Sequence, residues 1–169
     1  YTVDCIASEI ERMEITDYMV EVGGEIVCRG RNPRGSEWRV AVDSPYDGNM
    51  NPGENCQVSI SLTDRALATS GNYRRFYIDD AGRKIAHTIN PLTGESAVTD
   101  LLSATVVAPT AAEADALGTM CMALGFERAI QTITGLDGVD AYLIGVADEG
   151  SQEEFKVWYT PAMESMISE

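Results

Sequence analysis

An aspartate and a threonine four residues apart, Asp115 and Thr119, stand in a run of helix-forming residues that holds no lysine or arginine. At that spacing their side chains share one helix face, with Cβ atoms about 5–6 Å apart. Pro109-Thr110-Ala111-Ala112-Glu113 reads as a capping box that starts the helix at Thr110. Leu117, Met120, Cys121 and Leu124 form an apolar stripe, and the opposite face carries Ala111, Ala112, Gly118 and Met122. The pattern therefore predicts a helix buried between two layers. A carboxylate in such a place needs a partner or a metal. Together with a hydroxyl it offers the hard oxygen donors that Mg²⁺ takes. The competing reading is a charge near the helix N-terminus, favoured by the dipole. Helix composition alone does not choose between the two.

Three other segments carry unused polar groups. Ala68-Thr69-Ser70-Gly71-Asn72-Tyr73-Arg74-Arg75 packs small and polar residues at a strand-to-turn junction, where backbone N–H groups and hydroxyls can be offered to a phosphate. His87-Thr88-Ile89-Asn90-Pro91-Leu92-Thr93-Gly94 places the single histidine at a strand end before an Asn-Pro turn. Such a histidine is suited to acid–base work near neutral pH. Gly23-Gly24-Glu25 sets a sharp bend beside a carboxylate. Read singly, each of the three is equally an ordinary turn, and the chain has neither a P-loop nor a G-x-G-x-x-G after a strand.

These groups sit in 169 residues with 44% hydrophobic and 23% charged residues, ordinary for one globular domain. The formal charge of −15 excludes broad nucleic-acid binding and argues against docking on anionic lipid. It also means that a phosphorylated ligand needs a metal or local donors to offset repulsion. The four cysteines form no C-x-x-C pair, so a zinc site is not expected, and Cys28 and Cys121 read as packed thiols. The chain opens at Tyr1 and runs directly into a helical pattern, so the expectation is a segment of a longer protein.

The elements that must position the polar groups follow from periodicity. Val3, Ile6, Ile10 and Met13 predict an amphipathic helix over 3–13. Strands are expected at 18–22 and 26–29 around the Gly23-Gly24 bend, then at 38–42 and 57–62 on either side of a loop at 44–55. A hairpin is expected at 75–78 and 84–89, a strand at 104–107, helices at 111–124 and 127–133, and strands at 142–146 and 155–159. Antiparallel runs with segregated helices mean an α+β fold, and no composition break marks a second domain.

Taken together, these segments resemble the ApbE family of FAD:protein FMN transferases. The matching stretches are Tyr1-Thr2-Val3-Asp4, Val20-Glu21-Val22-Gly23-Gly24-Glu25, Gly30-Arg31-Asn32-Pro33 and Trp38-Arg39-Val40. They continue through the serine-glycine and histidine segments quoted above, then Ala104-Thr105-Val106-Val107-Ala108-Pro109 running into Ala114-Asp115-Ala116-Leu117-Gly118-Thr119. They occur in family order. The resemblance implies a mostly antiparallel sheet with packed helices that binds extended FAD beside Mg²⁺. It implies Asp115 and Thr119 as metal ligands and His87 as catalytic base. It places Asp4, Gly23, Gly24, Glu25, Ser70, Gly71, Asn72, Tyr73, Arg74, His87, Thr88, Thr93 and Gly94 at the cofactor.

The implied reaction is phosphoryl transfer: a threonine hydroxyl of an acceptor protein attacks the FMN-side phosphorus of FAD and AMP leaves. Acceptors in the family are flavin-carrying subunits of membrane redox complexes. Some members instead hydrolyse FAD as pyrophosphatases, and a non-catalytic flavin-binding or interaction module is the alternative from another class. The resemblance also implies that residues 1–169 are the C-terminal part of the family's domain, partnered by an N-terminal half that supplies part of the FAD pocket. It implies a periplasmic or membrane-anchored lipoprotein. Asn90 departs from the family's usual aspartate before the proline; it keeps the turn but brings no carboxylate.

Overall fold

In the computed structural model, which describes residues 1–47, 49, 51, 53–73, 76–82 and 84–168, the first apolar stripe folds as helix α1, Thr2–Arg12. The buried face differs from the expected one. Val3 and Ala7 are buried with Ile10 packed beside them, whereas Ile6 is 38% and Met13 71% exposed. Ala7 is small enough to let the helix lie close on the strands beneath, and that rotates the larger Ile6 outward.

Eleven strands among the described residues pair entirely antiparallel and form three sheets. In chain order they are β1 (Tyr18–Val22), β2 (Glu25–Arg29), β3 (Trp38–Asp43), β4 (Cys56–Leu62), β5 (Arg65–Gly71), β6 (Phe76–Ile78), β7 (Lys84–Ala86), β8 (Leu101–Ala108), β9 (Asp140–Val146), β10 (Phe155–Tyr159) and β11 (Ile167–Ser168). The main sheet has the order β1-β2-β5-β8-β9-β10; β11-β4-β3 form a second sheet and β6-β7 a small hairpin. Helices α2 (Ala111–Leu124) and α3 (Phe126–Ile133) follow β8, and the short α4 (Pro161–Glu164) follows β10. The class is α+β, as expected. Among the described residues no helix is long and apolar enough to cross a membrane.

Period-two alternation in the main sheet feeds two cores. Ala68, Ala104, Val106, Ala108, Ala141 and Leu143 face α2 and α3, while Leu67, Val107, Tyr142 and Ile144 face Val40, Val42, Ile60 and Leu62 of the second sheet. A central strand covered on both faces carries little polar alternation. For that reason β5 is not evident in the sequence: after Arg65, Ala66-Leu67-Ala68 shows only small and apolar residues before Thr69. The two-residue β11 carries no pattern of its own and forms only through pairing with β4. A partly buried ionic knot ties neighbouring strands of the main sheet: Arg65 Nη1 donates to Asp140 Oδ2 (2.6 Å), its Nη2 donates to the carbonyls of Val107 (3.0 Å) and Gly138 (2.5 Å), and Thr160 donates to Asp140 Oδ1 (2.8 Å).

The packed-thiol expectation holds for Cys28 and Cys121, both buried and unbridged. Burial pushes Cys28 from 9.0 up to about 12 and Cys121 from 9.0 to about 11. Burial, with a hydrogen bond to Glu11, raises Tyr18 from 10.0 to about 12. Each proton is held more tightly in the folded state than in the unfolded one. Their stabilisation is complete below the unfolded values and is lost as pH rises through the folded values. The urea midpoint should therefore fall steadily between pH 9 and pH 12, and Cys28→Ala should flatten part of that slope.

Candidate functional site

The β1-β2 hairpin turns through Gly23 and Gly24 at φ +72° and +106°, with Val22 paired to Glu25. Two positive φ values in a two-residue loop are what a primed hairpin turn demands, so the glycines are a backbone requirement here. The hairpin stops short of its neighbour. β2 pairs with β5 only from Leu67 back to Arg65, whereas β5 continues along β8 as far as Gly71. The last residues of β5 thus leave one edge unpaired by β2, and Thr69, Ser70 and Gly71 line the space so opened.

Helix α2 closes a second side. Thr110 caps it, its Oγ1 accepting from Glu113 N at 3.2 Å. Gly118 sets how closely the helix lies on β5: a Cβ there would come within 2.9 Å of Ser70 Oγ. This contact brings the Asp115–Thr119 face alongside Ser70 and Gly71. The expectation of a helix buried between layers is corrected. Ala111, Ala114, Gly118, Cys121 and Met122 are buried against the sheet, but Ala112, Asp115 and Thr119 are exposed, on the side open to the cleft. Asp115 has no hydrogen-bond or ion-pair partner among the described residues.

The third side comes from the second sheet. Val40 and Val42 point into its core, which turns Arg39, Ala41 and Asp43 to the other face of β3. The ladder to β4 is irregular between Val42 and Asp43, and Asp43 Oδ1 accepts from Gly53 N at 2.8 Å. His87, Thr88 and Ile89 complete the rim. The result is an open cleft of about 860 Å³, within the range of small-molecule sites.

Of the residues expected at the site, this cleft gathers Gly23, Gly24, Glu25, Ser70, Gly71, Tyr73, His87, Thr88, Asp115 and Thr119. Others lie elsewhere. The carboxylate of Asp4 accepts from the N–H groups of Ala111 (2.8 Å) and Ala112 (2.9 Å), so it caps the N-terminus of α2 rather than lining the cleft. Asn72 is buried and pinned to β8, its N–H on Leu102 O and its Nδ2 on Leu101 O, both at 3.2 Å. Thr93 and Gly94 are exposed in the turn behind the histidine, where Thr93 N and Gly94 N bond to Asn90 O and Asn90 Oδ1 accepts from Leu92 N. Asn90 thus supplies the turn without a charge. Arg74 falls outside the described residues. Glu21, Arg39, Asp43 and Thr69 line the cleft and were not assigned roles from sequence. For Arg39 and Asp43 the signal was available in the alternation of β3.

Tyr73 is buried under the cleft floor, and a Cβ on Gly71 would sit 2.6 Å from its ring. Gly71→Ala should therefore overpack this floor and lower the unfolding free energy by about 1–3 kcal/mol in urea titration.

The donor set suits a hard cation. Asp115 and Thr119 offer oxygen from one helix face into the cleft, and no group of three or more His, Cys, Asp or Glu gathers for a metal among the described residues. Mg²⁺ is commonly held in this way, by one or two carboxylates with waters and substrate phosphates making up the rest. Softer metals, which need clustered nitrogen or sulfur, do not fit.

A sequence model of the ApbE family matches residues 1–143. The chain is 39% identical over 168 residues to the FAD:protein FMN transferase of Klebsiella pneumoniae strain 342, and 38% identical to that of Escherichia coli K12. Each alignment covers 99% of this chain and 45% of the relative, so the chain spans less than half the length of the curated relatives it matches. The flavin transferase ApbE of Vibrio cholerae superposes with a TM-score of 0.76 at 30% identity, over 97% of this chain and 48% of that one. The apo flavinyl transferase ApbE of Pseudomonas stutzeri superposes with a TM-score of 0.77 at 29% identity, over 98% and 48%. By sequence along most of its length and by fold along nearly all of it, the chain belongs to the ApbE family.

Proposed function

We propose that this protein is a Mg²⁺-dependent FAD:protein FMN transferase, moving FMN from FAD to a threonine hydroxyl of an acceptor flavoprotein with release of AMP. The observation that carries the reading is the meeting, around one cleft, of Asp115, Thr119, His87 and the two glycine turns. These segments lie up to 96 residues apart in the chain (Gly23 to Thr119), yet they are the stretches that match the family. The relatives' activity as FAD:protein FMN transferases supplies FAD and FMN.

Asp115 and Thr119 would hold Mg²⁺, which when bound neutralises charge on the phosphates. His87, exposed on the rim, takes the proton of the attacking hydroxyl. One oxygen–phosphorus bond forms from the threonine to the FMN phosphorus. The pyrophosphate P–O bond breaks, and AMP departs with the bridging oxygen. Ser70, Gly71 and the open edge of β5 orient the dinucleotide through backbone and hydroxyl groups. By the same reading the acceptors are flavin-carrying subunits of membrane redox complexes, and the protein works in the periplasm or as a membrane-anchored lipoprotein.

The test is to incubate the purified protein with FAD, Mg²⁺ and a threonine-bearing acceptor domain, then follow acceptor-bound flavin fluorescence and AMP together. Equal yields of both are expected. AMP with free FMN and no bound flavin would make the protein an FAD pyrophosphatase. FAD binding with neither product would make it a binding module.

A further inference from the structure

The cleft is acidic for a site that takes a pyrophosphate. Glu21, Glu25, Asp43 and Asp115 all line it. Among the described lining residues Arg39 is the one lysine or arginine. It stands on β3, two residues from Ala41 and four from Asp43 on the same outward face, while Val40 and Val42 anchor the strand in the core. Its wall therefore belongs to the second sheet, whereas Asp115 and Thr119 stand on a helix packed against the main sheet. Arg39 thus brings positive charge from the β3 wall, apart from the helix face that would hold a metal.

We propose that Arg39 is a phosphate-binding residue that holds the pyrophosphate of the dinucleotide from the β3 wall, independently of any metal on α2. The inference rests on the proposed FAD chemistry and assigns a residue to which that reading gave no role. Arg39 has other interactions within the protein. A guanidinium carries five donors in a planar fork, so it keeps a protein partner and still takes phosphate oxygens. Ala41 beside it leaves the approach unobstructed by a long side chain. Without Arg39 the lining carboxylates repel the ligand with no lysine or arginine among the described lining residues to offset them.

The experiment compares wild type, Arg39→Gln and Arg39→Lys for binding of FAD and of riboflavin, which has the same ring system and no phosphate, with and without Mg²⁺. Arg39→Gln should weaken FAD about 10–100-fold, the range of a charge-assisted hydrogen bond, and leave riboflavin unchanged. The loss should persist without Mg²⁺, and Arg39→Lys should fall between the two. Unchanged FAD affinity in Arg39→Gln would overturn the inference while leaving the transferase reading intact. Equal losses for FAD and riboflavin would also overturn it, because the residue would then act through cleft shape. Wild type that binds FAD under no condition would overturn both. The side chain is exposed, so both variants are expected to melt with wild type.

Discussion

Asp115→Ala should abolish Mg²⁺-dependent FAD binding in calorimetry and reduce FMN transfer by about 10²–10³-fold, the cost of losing one preorganised electrostatic group. The same substitution should leave the thermal midpoint almost unchanged. Asp115 is exposed and unpartnered among the described residues, so its removal deletes no packing and orphans no buried donor. Separating the two readouts is the point of the experiment. A carboxylate retained for the helix dipole would behave in the opposite way, with a small loss of stability and no loss of metal dependence. Asp4 already occupies the first N–H groups of α2, which leaves Asp115, one turn further in, little capping work to do. Asp115→Asn should share the catalytic defect, since the amide keeps the shape and loses the charge. Transfer at wild-type rates in Asp115→Ala would sink the metal assignment.

His87→Ala should slow transfer by about 10²–10⁴-fold, the usual worth of a positioned general base, while FAD affinity changes by less than about tenfold. The histidine is exposed at the rim and belongs to no core cluster, so folding does not depend on it. Added imidazole should restore part of the rate in His87→Ala, because the removed side chain leaves an open path from solvent. A variant that loses FAD binding and transfer in parallel, with no rescue by imidazole, would make His87 a binding residue and move the base elsewhere.

How much of this was legible in the sequence depended on whether the signal was local. Turn chemistry was: Gly23-Gly24, Asn90-Pro91 and the Thr110 cap each carry their own physics, and each stands where its residues require. Helix α2 was found at its expected bounds. Its burial was misread because alanine and glycine look the same in sequence whether they sit under a sheet or beside an open cleft. Only the neighbouring strands decide that Ala114 is covered and Ala112 is not. β5 escaped notice for a related reason, since a strand buried on both faces by small residues loses its alternation. Asp4 shows a third kind of limit. Its role as a cap depends on a contact with residues more than 100 positions away, which no spacing rule reaches.

The cleft's two walls belong to sheets that share no hydrogen-bonded ladder. Over the cores they are joined by side-chain packing, with Leu67, Val107 and Tyr142 on one side, Val40, Ile60 and Leu62 on the other, and the fully buried Met163 among them, while Trp38 Nε1 donates to Arg29 O (2.9 Å) at one end. Ladder hydrogen bonds fix register in steps, whereas interdigitated side chains yield by small sliding displacements. The gap between Arg39 and Asp115 is thus a shear coordinate, set by how the residues beneath it fit. Its natural width is written partly in the volumes of core residues that do not line the cleft, and a change of one methylene at Ile60 or Met163 would retune grip at a distance.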